Sequence, residues 1–344
     1  MGAVCLSRLW STRLRCLGWS VQAAHYSVHS VADSTLRSYN NYIQKYIMFC
    51  DNINVDYTDN TTTANVANFL CDMAHHSERP ESVLKSCLAA LNFLFQGMGK
   101  SPPTHSGDID RLVTALVKTC TKRPMKRQKP MPISAFVDLF EHMGPNCSLS
   151  LNDLRLKAIT LLALTAMTRP LDLAPKAKQL SSIDNSLVPV TLSVNDVNFE
   201  EDGSMTIHFH GTKNDYNRQG FEVNIPPNAD NSNCDPVECL RSYINRTESC
   251  RSVDMNALLI TLRPPYRAIK ADTVASILDA SIKRASLQGF SAKSFRPTGA
   301  VALGVLPETV MKIGRWKTKE VFLNHYVYAK VPENYTEKLF QADK

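Results

Sequence analysis

Apolar residues recur at three- and four-residue steps in four successive stretches between residues 31 and 117. This spacing places them on one face of an amphipathic helix. Short loops containing Asn, Ser, Pro and Gly separate the stretches, so the pattern predicts a helical bundle over residues 31–117. The first apolar residues of the four predicted helices are Leu36, Val66, Val83 and Ile109.

The apolar pattern becomes mixed after residue 130. Residues 154–167 are apolar almost all round, which predicts a helix that is buried on every side. Three shorter stretches alternate between apolar and polar positions, as strands with one buried face do. These predicted strands are residues 192–199, 205–210 and 221–225. Helical patterns flank them, so we predict an α+β chain, mainly helical, with a small antiparallel sheet within residues 131–344.

A basic segment, residues 118–130, lies between these two regions and contains two prolines that break helices. The whole chain has 39 Lys and Arg against 32 Asp and Glu, a net charge of +7, which permits a polyanionic partner without requiring one. We predict an interdomain linker that lies along DNA phosphates, and a solvated linker without a partner is the alternative. Its candidate DNA contacts are Lys122, Arg123, Lys126 and Arg127.

The first 30 residues contain three arginines and no acidic residue. This composition is typical of a mitochondrial transit peptide, and a disordered arm is the alternative. We therefore predict a disordered or targeting-like arm over residues 1–30.

Composition narrows the function classes further. Hydrophobic residues make up 44% of the chain, which excludes wholesale disorder. No apolar run reaches the roughly 18 residues that a membrane span needs, so no membrane partner is predicted. The ten cysteines include no C-x-x-C pair, so we predict free thiols and no metal site.

Five short motifs in the second region follow one another in an order that suggests chemistry. Each one alone has an ordinary explanation, such as a helix cap, a surface charge or a core aromatic residue. The motifs are Thr-Arg169-Pro-Leu-Asp172 after the apolar helix, Lys213 between two predicted strands, Lys293-Ser-Phe-Arg296, Gly314-Arg315-Trp316, and Phe322-Leu-Asn-His-Tyr326.

Together these motifs resemble the tyrosine recombinase, or phage integrase, family. That family's pattern is an arginine, a hairpin lysine, His-x-x-Arg, a glycine followed by His or Trp, and a tyrosine some nine residues later. The resemblance covers about residues 31–330 and makes residues 31–117 a core-binding domain and residues 131–344 a catalytic domain. The stretch from Phe295 to the tyrosine motif looks most like recombinases of eukaryotic mobile elements, such as Cryptons and their DIRS or Ngaro relatives.

The resemblance implies a role for each motif residue. Arg169 and Arg296 would hold the non-bridging oxygens of a phosphorane, because guanidinium groups are planar and permanently charged. Trp316 would donate to the same phosphate or pack behind it. Lys213 would be the general acid and Tyr326 the nucleophile. Asp172 would orient Arg169 through a salt bridge. No cofactor is implied, neither a metal ion nor ATP, because the phosphotyrosyl bond conserves the phosphodiester energy.

Two departures from the family pattern bear on the site. Lys293 stands where the family has the histidine of His-x-x-Arg, and a lysine can still donate to a phosphate and carry a proton. Tyr326 follows Trp316 by ten residues, so Tyr328 remains an alternative nucleophile. Among the basic residues around Trp316, Arg315 and Lys317 are predicted to contact DNA.

The implied function is site-specific DNA cleavage and rejoining through a 3′-phosphotyrosyl intermediate, for recombination or integration of a mobile element. The implied partners are double-stranded DNA and a homotetramer of this chain, in the nucleus, or in the mitochondrion if the N-terminal arm is a transit peptide. Three alternatives stay open: a domesticated DNA-binding protein without activity, a type IB topoisomerase-like enzyme, and a structural helical protein whose motifs match by accident.

Overall fold

The structure is a computed structural model of the 344-residue chain, and it forms two compact units, Met1–Lys126 and Arg127–Lys344. It describes residues 6–322 except for 29, 62, 123–128, 176–177, 181–186, 211–219, 253–255, 303–306, 317 and 321. Within this part of the chain, no helix is both long and apolar enough to cross a membrane.

The first unit is helical, and four of its helices correspond to the predicted bundle. They pack around a core that includes Tyr46, Phe69 and Phe95, with the Tyr46 ring edge-on to both phenylalanines. The helices of this unit are α1 (Leu6–Cys16), α2 (Val21–Val28), α3 (Asp33–Asn52), α4 (Ala64–His75), α5 (Pro80–Gly97) and α6 (Gly107–Cys120).

The N-terminal segment is folded where the structure describes it. The indole Nε1 of Trp10 in α1 donates to the Phe93 carbonyl of α5 at 3.1 Å, and the two rings lie 5.0 Å apart. A Cβ on Gly97 would lie 2.9 Å from the same indole nitrogen, so this glycine allows the close approach. The expectation of a disordered arm is therefore wrong for α1, which packs on the bundle. The targeting-like alternative stays a prediction.

The structure places the start of the predicted basic linker later than residue 118. Helix α6 continues to Cys120, so the first residues of the predicted 118–130 segment belong to the bundle. Residues 123–128 lie outside the described residues. The division between the two units falls between residues 126 and 127, inside the predicted linker.

The second unit combines helices with short antiparallel strands, as predicted from the alternating stretches. Strands β3, β4 and β5 form one sheet in that order, with Ile207 of β4 opposite Val197 on one side and Val223 on the other. Its elements are α7 (Ser134–Met143), α8 (Leu151–Thr165), β1 (Lys178–Leu180), β2 (Leu187–Pro189), β3 (Val197–Phe199), β4 (Met205–Phe209), β5 (Phe221–Ile225), α9 (Pro236–Arg246), α10 (Ala271–Arg284), α11 (Phe295–Ala302) and α12 (Pro307–Gly314).

Helix α8 is the buried central helix that the apolar pattern predicts. Ser150 caps its N-terminus by accepting a hydrogen bond from the Asp153 amide, and every residue from 156 to 163 is buried. Even Lys157 is buried, and its ammonium donates to the Gly144 carbonyl at 3.3 Å. Burial lowers the pKa of Lys157, because the interior disfavours its charged form.

A close crossing of α8 and α11 brings the two arginine motifs to one region. Gly299 of α11 lies against the Leu164 carbonyl, and a Cβ at this position would overlap that oxygen. The glycine therefore lets α11, which begins next to Arg296, approach the end of α8, which leads to Arg169. This crossing fixes the framework on which the candidate site is built.

Candidate active site

The turn after α8 presents Arg169. Met167 follows the helix with a φ of +47°, a left-handed conformation that non-glycine residues adopt at an energetic cost. Its buried side chain packs with Ala300, Val310, Trp316 and Phe322, which holds the turn in place. Arg169 then has an extended backbone and caps a short 3-10 turn, Pro170–Leu173.

Asp172 holds the Arg169 turn closed. Its Oδ2 accepts a hydrogen bond from the Arg169 amide at 2.8 Å, and the Asp172 amide donates to the Arg169 carbonyl at 2.8 Å. The Asp172 side chain is only 3% exposed. The aspartate thus fixes the backbone from which the Arg169 side chain extends, and the suggested salt bridge to the Arg169 guanidinium stays a prediction.

Arg296 and Trp316 come together, as the motif order predicts. The Arg296 side chain is buried, its Nη2 donates to the Gly314 carbonyl, and its Cζ lies 4.3 Å from the centre of the Trp316 ring. A cation over an indole face is a favourable electrostatic contact. Lys293, three residues before Arg296, lies in the 3-10 turn that precedes α11, and it is exposed.

The Gly314–Trp316 turn has a conformation that requires glycine at its first position. A Cβ on Gly314 would overlap the Trp316 ring, which folds back over it. The Trp316 amide donates to the Met311 carbonyl at 3.0 Å, and its ring meets Phe322 edge-on at 5.0 Å. Trp316 packs against Arg296, and both suggested roles toward the phosphate stay predictions.

Arg315, a predicted DNA contact, has a mostly buried side chain. Its backbone φ is +59° and its side chain is 12% exposed. Nη2 makes an ion pair with Asp172 Oδ2 at 3.3 Å, and the Cζ atom lies 3.8 Å from the centre of the Phe221 ring. The turn directs this side chain inward, and its predicted contact with DNA stays a prediction.

Burial lowers the pKa of Arg315 to about 10. The negative charge of Asp172 opposes this shift, and the positive charge of Arg169 adds to it. Arg315 therefore remains charged at neutral pH, in a site that already holds a second guanidinium.

A stacked aromatic pair closes the base of the β4–β5 hairpin. Phe209 ends β4 and Phe221 begins β5, and their rings stack at 4.8 Å with an angle of 6° between their planes. The two residues are paired in the strand register. Residues 211–219, which include the candidate general acid Lys213, lie outside the described residues.

Other predicted site residues also lie outside the described part of the chain. They are Tyr326 and its alternative Tyr328, together with Arg123, Lys126, Arg127 and Lys317. Lys122 is described and exposed, and its ammonium donates to the His75 carbonyl at the end of α4, at 3.0 Å. Its proposed contact with DNA stays a prediction.

His208 lies in β4 and His210 directly follows that strand, and each imidazole lies near a different carboxylate. His210 Nε2 lies 3.0 Å from Asp196 Oδ2, and His208 Nδ1 lies 3.5 Å from Glu222 Oε1. Each imidazole thus has its own carboxylate. Within the described ranges, no three His, Cys, Asp or Glu side chains are grouped to hold a metal ion.

Sequence reasoning missed two features of the site. One is the inward position of Arg315, because the basic residues around Trp316 gave no indication that this side chain is buried. The other is the Phe209–Phe221 pair, for which a signal existed, because phenylalanine stands at the facing ends of two alternating stretches.

Comparison with known proteins identifies the fold. No family model and no curated protein sequence matches the chain. Among solved structures, the Tn1549 transposon integrase in complex with transposon right-end DNA has a TM-score of 0.58 and 12% identity over 98% of this chain and 99% of that chain. The XerH site-specific recombinase, bound to its difH substrate before cleavage, has a TM-score of 0.57 and 12% identity over 98% and 95%. The chain has the tyrosine recombinase fold.

A dimer of lambda integrase residues 75–356 on a COC′ core site is also similar to this chain. Its TM-score is 0.52, with 13% identity over 94% of this chain and 98% of that chain. At these identities the similarity concerns the fold alone. It confirms the predicted fold class, whereas the mobile-element subclass stays a prediction.

The overlap at Gly314 leads to a test of the packing around Trp316. Gly314→Ala should displace the indole ring and destabilise the chain by about 1–3 kcal/mol, as overpacked sites do. Urea unfolding and the near-UV circular dichroism of the full chain would measure both effects. Gly107→Ala is the matched control, since a Cβ there meets no atom within 4 Å. Unchanged spectra and stability for Gly314→Ala would contradict this packing.

Proposed function

We propose that this protein cleaves and rejoins DNA through a phosphotyrosyl intermediate. The observation that supports this best is the convergence of Arg169 and Arg296 on one buried framework within the tyrosine recombinase fold. Arg296 stacks on Trp316, and Trp316 packs with Met167 in the turn that leads to Arg169. Trp316 thus contacts Arg296 directly and shares a buried cluster with Met167, which precedes Arg169 by two residues.

The chemistry of phosphodiester exchange explains why two arginines are needed. As Tyr326 Oη attacks the phosphorus, a P–O bond to tyrosine forms and the bond to the 5′-oxygen breaks. The transition state carries additional negative charge on the phosphoryl oxygens, which fixed guanidinium groups stabilise with little reorganisation. The hydroxyl of Tyr326 loses its proton to solvent, and the leaving 5′-oxygen gains one from Lys213. Reversal of these steps rejoins the strand.

Lys293 has a place in this scheme as a second donor. It stands three residues before Arg296, at the turn that starts α11, and its side chain is exposed. We propose that it takes the place of the histidine found in the family pattern and donates to the scissile phosphate. A lysine suits this role because its ammonium offers three hydrogen-bond donors.

Double-stranded DNA is the proposed substrate and partner. The similar structures are described with a transposon end, a difH site and a COC′ core site, respectively. The basic residues of the 118–130 segment would lie along the DNA backbone. We further propose that the protein acts as a homotetramer in the synapse and that it belongs to a mobile element of the Crypton or DIRS type. We also propose that it acts in the nucleus and that catalysis needs neither metal nor ATP.

Covalent trapping tests the proposed reaction. The full chain would be incubated with a library of nicked duplexes, with EDTA and without ATP, and the adducts resolved on a denaturing gel. We expect wild type and Tyr328→Phe to form an adduct and Tyr326→Phe to form none while still binding DNA. An adduct in Tyr326→Phe that is lost in Tyr328→Phe would move the nucleophile to Tyr328.

This trapping assay, together with a plasmid-relaxation assay, separates the alternative functions. A protein that binds the library but never forms an adduct would be a DNA-binding protein without activity. Relaxation of supercoiled plasmid at low protein concentration, without site preference, would indicate a type IB topoisomerase-like enzyme. Absence of both binding and adduct would contradict the proposed function altogether.

The role of the arginines leads to a separate prediction. Arg296→Lys and Arg169→Lys keep the charge but lose the planar fork, so each should slow adduct formation by roughly 10²–10³-fold, as loss of an oxyanion donor does. Arg284→Lys is the control, because Arg284 forms a half-exposed surface ion pair with Asp153. Single-turnover rates at saturating DNA measure the effect. Equal rates for all three variants would refute the assigned roles.

A further inference from the structure

We propose that one copy of this chain docks its α1–α2 corner into the α3–α4 groove of another copy. The α1–α2 corner is the turn of residues 17–21, where α1 gives way to α2. The α3–α4 groove is lined by residues 42–52 of α3, residues 69–78 in and after α4, and Val83 of α5. None of these residues belongs to the candidate active site, so the contact does not depend on the proposed cleavage reaction.

The α1–α2 corner presents apolar side chains to solvent. Leu17, Trp19 and Val21 are 63%, 47% and 67% exposed, and they lie close together in the sequence. Single exposed apolar residues are ordinary on a protein surface, whereas a cluster of them marks an interaction site. Tryptophan in particular is enriched among the residues that dominate binding energy at interfaces. The corner therefore has the composition of an interface anchor.

The backbone holds this corner in one shape. Gly18 follows α1 with a φ of +85°, the left-handed conformation that glycine adopts at helix ends. Its amide donates to the Arg15 carbonyl at 3.0 Å, and the Trp19 amide donates to the Leu14 carbonyl at 3.0 Å. Ser20 caps α2, because its Oγ accepts a hydrogen bond from an amide of the first turn at 3.1 Å. An anchor that is already ordered loses little conformational entropy when it binds.

Contacts with α5 hold the corner away from the groove of its own copy. Arg13 of α1 donates to the Gln96 carbonyl, near the C-terminal end of α5. Val83 lines the groove near the N-terminal end of the same helix. The stretch of helix between Gln96 and Val83 is roughly 20 Å long. The counterpart of the corner is therefore the groove of a second copy.

The α3–α4 groove suits an aromatic anchor in size and lining. It is open to solvent and has a volume of about 650 Å³, within the range of about 300–1,000 Å³ that is typical of binding pockets. Its apolar lining includes Met48, Phe49 and Met73, and Met48 is 63% exposed. Methionine side chains are flexible and polarisable, so they adapt to an inserted ring.

The two surfaces also carry opposite charge. Residues 6–28 contain three arginines and no acidic residue, and Arg15 is exposed beside the corner. The groove lining includes Asp72 and Glu78 against Lys45. Opposite charges favour docking of the corner into the groove, whereas two cationic corners repel each other. The charges therefore favour a head-to-tail contact over the pairing of two corners.

A head-to-tail contact determines which assemblies can form. It generates a closed ring when the rotation between neighbouring copies closes, and an open chain when it does not. A ring of four copies would supply the proposed homotetramer with one of its contacts. The anchor is small, which places the contact in the weak and transient class of interfaces, so we expect a micromolar Kd.

Sedimentation velocity of the full chain without DNA measures this contact. We expect the wild type to self-associate reversibly as its concentration rises. Trp19→Ser removes the aromatic anchor and Met48→Glu places a charge in the groove, so each should raise the Kd about 30-fold or more, as loss of a binding hot spot does. Val301→Glu is the matched control, because Val301 is 51% exposed on α11 of the second unit, and it should associate as wild type does.

A mixture of the two variants tests the head-to-tail geometry. Trp19→Ser keeps an intact groove and Met48→Glu keeps an intact corner, so one contact between them remains. We expect the mixture to form a heterodimer and no larger species, which would also show that both variants are folded. If two corners paired with each other, Met48→Glu would associate as wild type does and the mixture would gain nothing.

Three results would overturn the inference. The wild type could remain monomeric at every concentration, either variant could associate as wild type does, or the mixture could form no heterodimer although urea unfolding shows both variants folded. Flotation with phosphatidylglycerol vesicles addresses another occupant, since a monomeric wild type that floats only with Trp19 intact would make the corner a lipid-binding surface. Failure to form a covalent DNA adduct would instead overturn the proposed cleavage and leave this contact standing.

Discussion

The buried carboxylate of Asp172 is the interaction on which the candidate site depends. It closes the Arg169 turn through a 2.8 Å hydrogen bond and pairs with Arg315 at 3.3 Å, while only 3% of its side chain is exposed. A carboxylate in this environment is stable only if it is hydrogen-bonded and its charge is compensated. The folded chain must therefore bring the turn after α8 and the turn after α12 together, although 143 residues separate Asp172 from Arg315.

The Gly314–Trp316 turn connects Asp172 to the other parts of the site. Gly314 leaves room for the Trp316 ring, which stacks on Arg296 and packs against Met167. Arg315 holds Asp172 on one side and the hairpin base on the other. Side chains that are far apart in sequence thereby share one rigid support, which is what preorganised stabilisation of a charged transition state requires. The buried crossing of α8 and α11 provides the framework beneath it.

The periodic parts of this fold could be predicted from the sequence, and the parts set by tertiary contact could not. Apolar spacing predicts helices α3–α6, the buried α8 and the three paired strands, because each burial face repeats locally. Motif order predicts that Arg169, Arg296 and Trp316 belong to one site. The burial of Arg315 and the left-handed Met167 depend on partners more than 90 residues away, and no local pattern encodes them. The docking of α1 escaped prediction because its acid-free composition suggested a targeting arm.

The most direct test of this account is the structure of Tyr326→Phe bound to an intact duplex selected by the wild-type protein. The account predicts that one scissile phosphate lies within hydrogen-bonding distance of both Arg169 and Arg296. It also predicts that Arg315 still pairs with Asp172 and stacks on Phe221. A scissile phosphate that reaches neither Arg169 nor Arg296 would contradict it.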